Sequence, residues 1–370
     1  MKPTGNRAHD SSSTTPSSSS DRTVGRRAVL ASGAVLGGSL IAGCVGDDAT
    51  GPEIAIISSD AGFDDNAFND MAVSGLENAQ QNYDFEINRT EETDTTAFGE
   101  VQEEVAETEP ELIVLVGFQH TAPLEENAVA YPDQNWMLIN DPLDEPNVAS
   151  YTWANHEMSY LAGVLAGTMT TRDLQHADSS TDPDSAHVGF VGGEDGSLIN
   201  AFEESYVAGA EWVEPDVDVS VGYIGNFSDT STANDIATSQ YDDGADIVYH
   251  AAAAAGVGAI EAAESENRFA IGVDADQSVT LPDLQDVILG SAVKYIDEGT
   301  EEAAVAAMED EFETLTADHN LLGLAEEAVD AVIGQAFVGE LPDEVDETIE
   351  SAKQGIVDGD IDVPCEADGC

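Results

Sequence analysis

IAIISSDAGFDDNAFNDMAVSGLENAQQNYDFEIN, residues 54–88, reads as strand, loop, helix and strand in direct succession. Ile54–Ser58 is a short apolar run of strand length. Asp60–Asn69 is polar and contains Gly62, and Phe68–Gln81 returns its apolar residues at helical spacing. Phe85–Asn88 then resumes the strand pattern. A strand, helix and strand this close together form a right-handed crossover between parallel strands.

The same alternation continues outward. Strand-like runs follow at Leu112–Gly117, Trp136–Asn140 and Val148–Trp153, with helix-period stretches such as Thr95–Thr108 and Met158–Met169 among them. A polar, Asp/Ser-rich break spans 172–186. A second set comprises Val188–Gly192, Val217–Ile224, Ile247–Ala251, Phe269–Val273 and Val287–Val293. Two sets of about five strands predict an α/β protein with two doubly wound parallel-sheet lobes. The final third reads as helical over Ile296–Leu315, Leu324–Gln335 and Glu344–Val357. It has to return to both lobes, which predicts a hinge of several crossing segments. The expected division is 53–170 plus about 275–320 for the N-terminal lobe, and 171–274 plus about 321–362 for the C-terminal lobe. A cleft between the carboxyl ends of the two sheets is the expected ligand site.

Charge sets the solvent. Ten Lys and Arg stand against 75 Asp and Glu, a formal net charge of −65. After Cys44 the cations are Arg89, Arg172, Arg268, Lys294 and Lys353 alone. The acids are spread evenly and 42% of the chain is hydrophobic, which reads as a folded protein in concentrated salt. In molar salt the Debye length is about 3 Å, and surface repulsion is largely screened. So few cations build no basic patch, which argues against nucleic-acid binding.

Residues 1–43 read as an export address. Arg26-Arg27 precede an uncharged run, Ala28–Gly43, in the twin-arginine pattern, and Leu40–Cys44 (LIAGC) resembles a lipobox with Cys44 as the lipid-bearing thiol. Residues 44–52 form the expected tether. In the polar tail, 363–370, Cys365 and Cys370 suit a small disulfide loop, free thiols or a weak metal clip.

Candidate residues cluster at the predicted carboxyl ends. Asp65, Phe68 and Asn69 open the first helix, where ligands meet backbone N–H groups, although the same residues suit an ordinary helix cap. Phe202 is a ligand-facing aromatic or a core residue. Asp274 ends one buried strand, where a carboxylate needs a partner, and Lys294 ends another; the two suit a polar pair in an apolar cleft or an ordinary surface ion pair. The motif Gly-x-Ser-x-Gly is absent, as is His-Glu-x-x-His: His156-Glu157 lacks its second histidine. No cofactor or metal is expected, and the chain does not read as an enzyme.

Taken together, seven stretches in order resemble the basic membrane protein family of lipoproteins, solute-binding proteins of the purine-nucleoside receptor type. They are GFDDNAFND (62–70), NHEMSYLAGVLAG (155–167), HVGFVGGEDG (187–196), GNFSD (225–229), QYDDGADIVYHAAAAAGVG (240–258), IGVDADQ (271–277) and SAVK (291–294). The resemblance implies a type I periplasmic-binding-protein fold. It implies an extracytoplasmic, lipid-anchored monomer that passes nucleosides to the permease and ATPase subunits of an ABC importer. It places Asp65, Phe68 and Asn69 on the base side, Phe202 as the opposing aromatic, and Asp274 and Lys294 on the ribose. Ala67, Asn66 and the AAAAAGVG loop depart from the family pattern and bear on the identity of the nucleoside. The alternatives are another small polar ligand on the same fold, such as a sugar or signalling molecule, or a secreted nucleoside-processing enzyme.

Overall fold

The computed structural model describes residues 51–317 and 319–365; the export address, Cys44, most of the tether and Cys370 lie outside them. The chain opens with β1 (Glu53–Ile57), α1 (Phe68–Ala79), β2 (Glu86–Thr90), α2 (Phe98–Ala106), β3 (Leu112–Val116), α3 (Thr121–Ala130), β4 (Trp136–Ile139) and β5 (Val148–Trp153). It crosses through α4 (Asn155–Thr170) and a small hairpin, β6 (Gln175–His176) and β7 (Ser179–Ser180). The second lobe follows as β8 (His187–Gly192), α5 (Ser197–Val213), β9 (Asp218–Tyr223), α6 (Thr230–Asp242), β10 (Ile247–Ala251), α7 (Val257–Glu266), β11 (Phe269–Asp274), α8 (Gln277–Thr280) and β12 (Ile288–Lys294). The chain ends with α9 (Ile296–Met308), β13 (Asn320–Leu322), β14 (Val329–Ile333) and α10 (Asp343–Val357).

Both sheets have the same plan. The first runs β13-β5-β4-β3-β1-β2 and the second β14-β12-β11-β10-β8-β9. All pairs are parallel except β12 with β14. The central strands, such as β3 (LIVLV) and β11, are buried along their whole length because helices cover both faces. Two doubly wound lobes joined by several segments are therefore present, in the periplasmic-binding-protein arrangement.

The chain changes lobe three times: between β5 and α4, between β12 and α9, and between β13 and β14. Neighbouring crossings are tied together, with Ala154 N donating to Leu322 O at 2.8 Å and Tyr295 N to Ala328 O at 3.0 Å. The expected lobe boundaries move accordingly. Helix α4, expected in the N-terminal lobe, packs against α5, β12 and β14 of the second. Strand β12, expected within the 275–320 return, pairs with β11 inside the second sheet. The polar break at 172–186 is only a surface hairpin and turn. The real crossings are too short to have a compositional signature.

The segment 324–335, expected as helix, is a correction of the same kind. It forms a single turn at Leu324–Glu326 and then the antiparallel strand β14. A short apolar run such as AVDAVI fits either period, and pairing with β12 decides for strand.

Candidate ligand-binding site

A cleft lies between the lobes, with about 470 Å³ of non-atom space when the part open to solvent is counted. The first lobe contributes Ser59, Asp60, Phe68, Phe118, Gln119 and Asn140. The second contributes Phe202, Phe227, Ala251–Ala253, Asp274 and Lys294. All stand at or just past the carboxyl ends of strands, or in the first turns of the helices that follow.

Lys294, the last residue of β12, is 1% exposed, and its Nζ lies 3.0 Å from Oδ1 of Asp274, itself 5% exposed. The same ammonium donates to Asn155 Oδ1 at 3.1 Å, at the start of α4. It stands 4.8 Å from the ring centre of Phe68 and 5.7 Å from that of Phe202. One buried cation thus sits among a carboxylate, an amide oxygen and aromatic rings from opposite lobes. A charge this deep needs such partners, since desolvation alone is worth several kcal/mol. Asp274 has φ +66°, and Ala275 N donates to Val273 O across it at 2.8 Å. The end of β11 therefore folds into a tight three-residue turn that directs the carboxylate to the cleft.

Phe202 owes its position to an unusually close pair of helices. A Cβ on Gly163 of α4 would lie 2.0 Å from Tyr206 O, and one on Gly209 of α5 would lie 2.0 Å from Tyr160 O. The backbones therefore touch, and Ser159 Oγ donates to Phe202 O at 2.8 Å. Helix α4 holds both Phe202 and the Asn155 partner of Lys294.

Of the six candidate residues, the fold brings Phe68, Phe202, Asp274 and Lys294 together at the cleft. Asp65 and Asn69 are not among the residues that line it. The Asp65 carboxylate accepts from the backbone N–H groups of Ala67, Asn69 and Asp70 and from Asn69 Nδ2. Burial raises its pKa, and those four donors oppose the shift. Asn69 accepts from Ser59 N at 2.8 Å and donates to Ser59 Oγ at 2.8 Å. Both side chains are saturated inside the loop and hold Ser59 and the start of α1, which agrees with the capping alternative.

Further residues outside the six candidates also line the cleft. Asp60 accepts from Gln119 Nε2 at 2.6 Å, and burial, with a smaller contribution from the negative charge of Glu194, pushes its carboxyl up to about 6. Gln119 Oε1 and Asn140 Oδ1 are buried acceptors without a hydrogen-bond partner among the described residues. Asn140 also has φ +71°. Their signal was the strand-end rule already used for Asp274, since Asn140 follows β4 and Gln119 lies just past β3. Beneath the first-lobe wall His120 donates from Nε2 to Ser58 O at 2.9 Å and stacks on Phe98 at 3.9 Å. Burial depresses its pKa to about 4, so it remains neutral.

Comparison with known proteins bears on this cleft directly. Residues 53–366 match the family model described as Bmp, ABC transporter substrate-binding protein PnrA-like. Basic membrane protein A of Borreliella burgdorferi is 30% identical over 249 residues, 65% of this chain and 69% of that protein. The ABC transporter nucleoside-binding protein BmpA of Lactococcus lactis is 28% identical over 358 residues, 88% of this chain and 95% of that protein. Among solved structures, an ABC transporter solute-binding protein from Aeropyrum pernix superposes with a TM-score of 0.74 at 23% identity, covering 85% of this chain and 94% of that one. One from Conexibacter woesei gives 0.66 at 21% identity, over 86% of this chain and 100% of that one.

Proposed function

This chain belongs to the Bmp family of PnrA-like ABC transporter substrate-binding proteins, and we propose that it captures a purine nucleoside in the interlobe cleft. Proteins of this kind are extracytoplasmic and bind solutes rather than transform them. The observation that carries the nucleoside reading is the placement of Lys294 between Asp274 and the rings of Phe68 and Phe202. A purine offers two π faces, and stacking is worth roughly 1–3 kcal/mol per base. A ribose offers a cis-diol that donates to a carboxylate and accepts from an ammonium. In this reading Phe68 and Phe202 take the base and Asp274 and Lys294 the ribose, while Asp65 and Asn69 act indirectly by holding the loop that carries Phe68. The Lactococcus relative's name supports the same ligand class.

Delivery to a permease with its ATPase, a monomeric state, life in concentrated salt and a lipid anchor on Cys44 complete the proposal. The anchor rests on the lipobox-like LIAGC sequence. No helix among the described residues is long and apolar enough to cross a membrane.

Calorimetric titration of the mature protein in molar KCl with inosine, guanosine, adenosine, uridine and ribose tests the function. Binding of the purine nucleosides ahead of uridine and ribose is expected. Absence of heat with every nucleoside would overturn the reading, and release of free base would favour an enzyme.

A further inference from the structure

The ladders on the two sides of β11 end at different heights. Pairing with β10 runs only from Ile247–Phe269 to Tyr249–Ile271, whereas pairing with β12 continues to Asp274–Val293. Strand β10 meanwhile stays with β8 through His250–Val191 and Ala251–Gly192. Beyond Ile271 the two central strands therefore part, and backbone groups facing the gap need other partners.

The side chain of Gln277 fills that gap. Its Oε1 accepts from Val273 N at 3.0 Å and lies 2.8 Å from His250 Nε2. Its own backbone N–H donates to Ser291 Oγ of β12 at 3.1 Å. A backbone N–H only donates, so the amide oxygen is the atom that faces Val273. His250 must then carry its proton on Nε2 to share the same oxygen. Gln277 and His250 are both fully buried. The fit depends on missing side chains: a Cβ on Gly256 would lie 1.9 Å from His250 Nδ1, and one on Gly272 would lie 2.7 Å from Gln277 Oε1.

Val273 immediately precedes Asp274, whose positive φ costs on the order of 1–3 kcal/mol and persists only where its surroundings fix it. We propose that Gln277 is a positioning residue for Asp274. By gathering Val273 N–H and His250 Nε2–H on one oxygen, it wedges β10 from β11 and holds the turn that presents the Asp274 carboxylate to Lys294 and the cleft. Its effect on binding rests on the reading of Asp274 as the group that takes the ribose hydroxyls.

The test is Gln277→Met, which keeps the volume and removes the acceptor. Inosine affinity is expected to fall about tenfold, the scale of a lost buried hydrogen bond, while 2′,3′-dideoxyinosine, which lacks both hydroxyls, changes less than about twofold. On an Asp274→Ala background the same substitution should add nothing, because the two changes act through one contact. Hydrogen exchange at the Val273 amide is expected to accelerate with or without ligand. Equal losses for both ligands, or an unchanged Val273 amide, would overturn the assignment. If the unaltered protein binds no nucleoside, the nucleoside reading falls and Val273 exchange alone decides the positioning role. Should Gln277→Met fail to fold, His250→Phe removes one of the two donors and should give a smaller loss confined to inosine; equal losses on both ligands overturn the proposal there too.

Discussion

Thr280 of the second lobe donates its hydroxyl to the carbonyl of Asn66 of the first, at 2.7 Å. The bond joins the loop that leads into Phe68 to the short helix that begins at Gln277. Asn66 has φ +57° and Asp64 φ +61°, and both backbone N–H groups are gathered by the Asp70 carboxylate at 2.9 Å. A stiff loop on one lobe thus meets a hydroxyl on the other, clasping the two sides of the cleft.

Thr280→Val removes the donor and keeps the shape. A neutral hydrogen bond contributes about 0.5–1.5 kcal/mol, so nucleoside dissociation should quicken by about two- to tenfold while association is unchanged. Stopped-flow release of a fluorescent nucleoside measures both. An unaltered dissociation rate would show that the clasp does not hold the ligand in.

Lys294 and Asp274 are too buried for either to be removed without cost. Lys294→Met leaves a carboxylate in the cleft wall without its counter-charge, and the expected loss of stability is about 3–5 kcal/mol by urea unfolding in molar KCl. Adding Asp274→Asn should restore much of it. Nucleoside affinity should stay at least about tenfold weaker in both the single and the double variant. Recovery of binding along with stability would remove both residues from the ligand.

Gly163→Ala should act on stability and on the site together. The added methyl meets Tyr206 O at 2.0 Å and must push α5 away from α4. Overpacking of this kind costs about 1–3 kcal/mol. Because α5 carries Phe202, affinity should fall as the melting temperature falls. Gly225→Ala, where nothing lies within 4 Å of the added atom, is the control for the packing effect, although its φ of +90° brings a strain of its own.

Stability should respond to acid in an unusual direction at one site. Asp246 is fully buried; burial raises its carboxyl to about 6, against the opposing hydrogen bond from Asp182 N at 2.8 Å. In the unfolded chain it titrates near the ordinary 3.8. Between those values the folded protein holds the proton and the unfolded chain does not. The penalty from this group is therefore fully present above about pH 6 and is relieved as pH falls toward 4. It amounts to roughly 2–3 kcal/mol. Asp60, also raised to about 6, contributes with the same sign. Asp246→Asn should flatten the rise in stability between pH 7 and pH 5, and an unchanged slope would assign that rise to other groups.

Cys44→Ala removes the thiol of the lipobox-like sequence. The protein is expected to move from the membrane fraction to the medium. Retention at the membrane would mean that another feature anchors it.

Much of the architecture was readable from local pattern. Val148–Trp153 and Ile247–Ala251 were delimited to the residue, and most other strands to within one or two, because buried parallel strands are continuous apolar runs bounded by turns. Strand β14 was misread as helix because five residues of mixed period become a strand only beside β12. The lobe boundaries failed for a related reason. A crossing such as Trp153-Ala154-Asn155 changes partner without changing composition.

Local pattern was enough for the two α/β lobes, the strand ends and the strand-end positions of Asp274 and Lys294; it left Phe68 and Phe202 open between ligand contact and cap or core, and the family resemblance alone implied their place at the cleft. The lobes and strand ends follow from local periodicity, and the positions of Asp274 and Lys294 from the rule that parallel sheets present ligands at their carboxyl ends. It took the packed fold to turn Asp65 and Asn69 inward, to bring Asn155 to Lys294, and to set Gln277 between β10 and β11. Those roles depend on positive backbone angles at residues 62, 64, 66 and 274 and on two strands parting beyond Ile271. A side chain's direction in a loop is set by what closes around it, and that is not carried by its neighbours in sequence.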